Sequence, residues 1–144
     1  MLLNNKESMS EKNKIEGQKS LDLATRYMDN AKKELILAKK EGKFYQDTKH
    51  VSGACGIAYK GVLVALDGIF LLRGIERGDK RKRLSIEYYK RNLAKIDGKL
   101  LDSLNATYDI LHLSGYYDGL NLVKAIEGGF EEAEIIIKKL KGML

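Results

Sequence analysis

The stretch that decides the fold is Val51-Ser52-Gly53-Ala54-Cys55-Gly56-Ile57-Ala58-Tyr59-Lys60-Gly61-Val62-Leu63-Val64-Ala65-Leu66-Asp67-Gly68-Ile69-Phe70-Leu71-Leu72. Within it Val51, Cys55, Ala58, Val62, Ala65, Ile69 and Leu72 recur at steps of three and four, the spacing of one helical face. Tyr59, Leu63, Leu66 and Phe70 widen that face, and Val64 and Leu71 carry it almost all the way round. A helix of this kind is the most buried one in a bundle, or is covered by another chain as well. Glycines 53, 56, 61 and 68 each cost about 1 kcal/mol relative to alanine in a helix, a penalty that close helix approach offsets. The richest apolar run, residues 62–72, is interrupted by Asp67 and Gly68 and falls short of the roughly 20 residues that span a bilayer.

Working upstream, Leu21, Ala24, Met28, Ala31, Leu35 and Ala38 form a second stripe at helical spacing, stopped by Glu41-Gly42. Residues 1–16 are rich in Asn, Lys, Glu and Ser and read as a flexible, solvated lead-in, with residues 17–144 as one helical domain. Downstream, Gly74, Gly78 and Asp79 form a connection. Ile86, Tyr89, Leu93, Ile96, Leu100, Leu104, Tyr108 and Leu111 then define a third helix, broken by Ser114 to Gly119. A fourth carries Val123, Ile126, Phe130, Ala133, Ile137 and Leu140. Lys138, Lys139 and Lys141 suit the helix dipole in its last turn, and Gly142 is placed as a cap. No proline interrupts any of the 144 residues. Long helices joined by short loops predict an all-α fold, an antiparallel up-down four-helix bundle.

The segment Tyr45-Gln46-Asp47-Thr48-Lys49-His50, followed by Ala58-Tyr59-Lys60-Gly61-Val62-Leu63-Val64-Ala65-Leu66-Asp67, resembles the helix entry and core helix of small HEPN-like bundles. Length and helix order also resemble a Bacteroidetes family of small proteins of unknown function, over residues 20–140. Many HEPN proteins are ribonucleases, an activity associated with an Arg followed after four to six residues by a His. Here the matching positions are Lys43, Phe44 and Tyr45 before His50, and Asn105, Ala106 and Thr107 before His112, so the motif is absent. The resemblance thus implies the fold in a non-catalytic form, as a binding or dimerisation module.

Other chemistry is sparse. There is no phosphate-binding loop, nucleophile elbow, HExxH or cysteine-based zinc spacing, and no cofactor is expected. Cys55, the single cysteine, reads as a small core filler. Two Asp-x-x-His pairs, Asp47/His50 and Asp109/His112, have the spacing that puts both side chains on one helical face. In an up-down bundle they share an end, where they are candidates for a metal or small polar ligand; the simpler reading makes Asp47 a helix cap. Lys80-Arg81-Lys82-Arg83, with Arg73 and Arg77 before it, forms a basic connection within a net charge of +6. By the same topology that connection shares the other end with the terminus of the fourth helix, a patch suited to RNA or DNA phosphates. The expected function is a cytoplasmic, non-enzymatic module for self-association or protein binding, with no membrane partner. Nucleic-acid binding through the basic end is the alternative.

Overall fold

A computed structural model describes residues 2–75, 77–78 and 83–144, with side chains from residue 11 onwards. The chain is all-α apart from one two-residue hairpin, and its helices are α1 (Leu2–Leu37), α2 (Thr48–Leu72), α3 (Ile86–Asp97), α4 (Leu101–Thr107) and α5 (Val123–Lys141). Strands β1 (Lys40–Glu41) and β2 (Phe44–Tyr45) form the hairpin between α1 and α2. Helix α1 runs through the residues expected as a lead-in; no proline stands there to stop it, and Gly17 is absorbed as a close contact with α2.

Helices α1 and α2 are antiparallel and make the most extensive contact in the molecule. Small residues set that approach. A side chain at Gly61 would meet the Tyr27 Cβ at 2.9 Å and the Ala24 carbonyl at 3.3 Å. One at Gly68 would meet the Ser20 Cβ at 2.7 Å and the Gly17 carbonyl at 3.1 Å. Two of the four glycines in the deciding stretch are therefore exchanged for close packing.

Helix α2 buries twelve residues, among them Val51, Cys55, Ala58, Val62, Ala65 and Ile69 of the expected stripe. It packs against α1, α3, α5 and the segment that follows α4, which cover much of its apolar circumference and leave Leu63 and Val64 half-buried and Leu71 exposed. By length and composition alone α2 would serve to cross a membrane, but 56% of its most apolar window is buried in the bundle. The expected stripes of α1 and α5 are buried too, apart from Leu35 and Val123, which are half-buried.

The third expected helix is not continuous. Asp97 takes an extended conformation, and its carboxylate accepts a hydrogen bond from the Lys99 backbone N–H at 3.0 Å. The chain turns through a 3-10 segment (Gly98–Leu100) before α4 begins. The apolar periodicity survives the break, since Tyr89, Leu93, Leu100, Leu104 and Leu111 are all buried. After α4 the backbone winds as a π-helix over Tyr108–Tyr117. This segment lies antiparallel to α2: the Ser52 hydroxyl donates to the Gly115 carbonyl at 3.1 Å, and Tyr59 packs on Tyr108. Helix α5 returns antiparallel to α1 through the ion pairs Lys40–Glu127 and Lys32–Glu134. The hairpin is tied to the loop before α5 by Tyr45 N–H to the Asn121 carbonyl at 2.8 Å and by Asn121 Nδ2 to the Tyr45 carbonyl at 3.1 Å.

Candidate ligand groove

Beside the buried stripe of α2 runs a second one, Gly53, Gly56, Lys60, Leu63 and Asp67, at steps of three and four. It forms the floor of an open cavity of about 550 Å³. Tyr27 of α1 lines one side, and Arg83, Leu84, Tyr89, His112 and Tyr116 contribute from later in the chain. Gly56 leaves room for the Tyr116 ring, whose Cδ2 would stand 3.1 Å from a side chain there.

Aromatic rings run from the interior of this groove to its mouth. His112 stacks on buried Tyr59 with centroids 4.5 Å apart and on Tyr108 at 5.3 Å. Tyr117 meets the His112 edge at 5.1 Å, and Tyr116 lies nearly parallel to His112 at 6.3 Å. Tyr116 and Tyr117 are 48% and 62% exposed; Tyr116 lines the cavity, and Tyr117 stands beside it against the His112 edge. Burial, with the Arg83 guanidinium adding to it, holds His112 below the ordinary imidazole range and favours the neutral ring. Lys60, Arg77 and Arg83 supply positive charge along the groove. At its far end Tyr89 donates a hydrogen bond to Asp67 Oδ1 at 3.0 Å. Burial raises the Asp67 carboxyl above its ordinary value, while Tyr89, Arg77 and Lys60 pull the other way.

The expected site residues fall into three groups. Asp47 caps α2, accepting the Lys49 N–H at 3.0 Å, as its position suggests. His50 places Nδ1 2.7 Å from Glu34 Oε1 and Nε2 3.6 Å from Asp47 Oδ2. A carboxylate only accepts, so Nδ1 carries the proton donated to Glu34. His112 sits opposite Tyr59, nine residues along α2 from His50, or about 13 Å at a rise of about 1.5 Å per residue. Asp109 is exposed. The two Asp-x-x-His pairs are thus not assembled into one centre. Among the described residues no group of three or more His, Cys, Asp or Glu is placed to hold a metal ion.

The basic connection divides differently from expectation. Arg73 caps the end of α2, and Lys80, Arg81 and Lys82 lie outside the described residues. Arg77 and Arg83 turn back to line the groove with His112, whereas Lys138 and Lys139 line a separate cavity with Asp97. Residues expected at opposite ends of a bundle therefore meet beside the middle of α2. The break at Asp97 interrupts the third arm, so that His112 lies opposite Tyr59, short of the end of α2. Sequence reasoning missed Lys60, Asp67 and Tyr27. The available signal was the polar pair Lys60 and Asp67 on one face of an otherwise apolar helix.

Residues 19–142 match the family described as Domain of unknown function (DUF5618). The chain belongs to this family. A solved structure of a protein of unknown function from Dyadobacter fermentans is similar over 89% of this chain and 98% of that one, with 39% sequence identity and a TM-score of 0.79. Both findings agree with the resemblance to a Bacteroidetes family of unknown function. No curated protein matches the chain.

Proposed function

We propose that this chain is a cytoplasmic, non-enzymatic, HEPN-like binding module that holds single-stranded RNA in the groove beside α2. The observation that carries the reading is the convergence of two rings, His112 and the exposed Tyr116, with the cations Lys60, Arg77 and Arg83 around one open cavity. Single-strand binders combine these two features: cations track the phosphates, and each base stacked on a ring contributes about 1–3 kcal/mol. Self-association through α2 has less support, because much of the apolar circumference that suggests it is covered by α1, α3, α5 and the π-helix of the same chain.

Fluorescence anisotropy with a labelled nine-nucleotide RNA at low salt tests the reading. Binding should weaken as salt rises, and Arg83→Ala and Tyr116→Ala should each weaken it at least about fivefold, the lower bound of one lost stacking or phosphate contact. The RNA should be recovered intact. Absence of binding at 50 mM salt would remove the proposal, and cleavage abolished by His112→Ala would remove its non-enzymatic part.

A further inference from the structure

The groove does not stop at Asp67. A second cavity of about 550 Å³ is lined by Asn13, Ser20, Phe70, Gly74 and Tyr88, and it shares two residues with the first, Asp67 and Arg77. The two cavities are therefore neighbours that meet at that pair, and together they form a trough along α2 from Gly53 to Gly74, divided at Asp67 and Arg77 and roughly 30 Å long at about 1.5 Å per helical residue. A trough of that length suits several units of an extended polymer, at the lower end of the roughly 4–16 nucleotides that single-strand grooves cover.

At the junction stands one carboxylate among cations. Tyr89 fixes Asp67 by its hydrogen bond to Oδ1, and the carboxylate still lines both cavities. A carboxylate in this trough repels the phosphates themselves. It can accept hydrogen bonds from the ribose 2′-hydroxyl, which is common to every ribonucleotide, or from a base edge that presents an amine, which differs between bases. Cytosine offers its N4 amine to such an acceptor, whereas uracil presents a carbonyl oxygen at that position, which repels it. Single-stranded bases, splayed out of any helix, expose this edge.

We propose that Asp67 is a base-reading residue that makes the trough prefer cytidine over uridine, with Tyr89 as its positioning residue and Arg77 holding the adjoining phosphate. The inference rests on the RNA-binding reading above. Its test uses the full chain and labelled C9 and U9 oligonucleotides, compared by anisotropy at one salt concentration. The wild type should bind C9 at least about fivefold more tightly than U9, the low end of what one good base contact discriminates. Asp67→Asn, whose amide both donates and accepts, should bring that ratio near one, while Arg77→Gln should weaken both oligonucleotides together and leave the ratio unchanged. Tyr89→Phe should lower the ratio without abolishing binding. Circular dichroism of each variant separates these effects from loss of the fold. Equal binding of C9 and U9 by the wild type, or a preference that survives Asp67→Asn, would overturn the base-reading role while leaving RNA binding in place. Failure of both oligonucleotides to bind would overturn both readings.

Discussion

Substituting Gly115 by alanine tests the packing that brings the π-helix onto α2. An added Cβ would stand 2.5 Å from Cys55 Sγ, 3.0 Å from Cys55 Cβ and 3.1 Å from the Ile110 carbonyl oxygen. Cys55 is fully buried and Ile110 contributes backbone, so neither yields cheaply. Overpacking of this kind costs about 1–3 kcal/mol. Alanine returns about 1 kcal/mol of helix propensity, leaving a net loss of up to about 2 kcal/mol. For a chain of this size that lowers Tm by up to about 8 °C, at about 2–4 °C per kcal/mol. Gly128 provides the control. It lies inside α5 with nothing within 4 Å of a new Cβ, so Gly128→Ala should raise stability by about 0.5–1 kcal/mol. Adding Cys55→Ala to Gly115→Ala removes the closest atom, so the double variant should be more stable than the sum of the single effects by about 1 kcal/mol. Urea unfolding and thermal melts of the four variants read these values. If Gly115→Ala were as stable as Gly128→Ala, the π-helix would not approach α2 as closely as described.

Three further outcomes follow from single residues. Burial pushes the Cys55 thiol up to about 12, so in the native protein at pH 8 it should resist a thiol reagent that labels it fully in urea. Because the folded pKa of His112 lies below its unfolded value of about 6.5, the unfolded chain binds the extra proton first. The stability His112 contributes is therefore present above about pH 6.5 and is lost as pH falls through the folded value. Urea midpoints between pH 7.5 and 5.5 should fall less in His112→Gln than in the wild type. Asp47→Ala removes the cap of α2 and should cost about 1 kcal/mol, while Asp47→Ser should restore most of it. Equal midpoints for the two Asp47 variants would count against the cap.

The groove was half legible in the sequence. Its cations and rings were visible as types, Arg77 and Arg83 in a basic run and His112, Tyr116 and Tyr117 near a helix end. Their meeting was not. An uninterrupted third helix would carry Arg83 and His112 to opposite ends; Asp97-Gly98 is a local turn signal, but the apolar steps of three and four run straight across it and point to one continuous helix. Lys60 and Asp67 were hidden for another reason. On a helix apolar almost all round, two polar residues read as interruptions of a core stripe, and only the placement of α1 and α3 shows that they face a common space.

By itself the sequence determined that this protein is all-α, most of the buried stripe of α1, α2 and α5, and where Asp47 caps, because apolar period and capping chemistry act over one or two turns. Tertiary structure decided which glycines are close contacts, how the third helical arm divides at Asp97, and which polar side chains share the trough beside α2. Those outcomes depend on distances between segments far apart in the chain. They are fixed by how neighbouring helices fill space around Cys55, Gly61 and Gly68, and no local pattern encodes them.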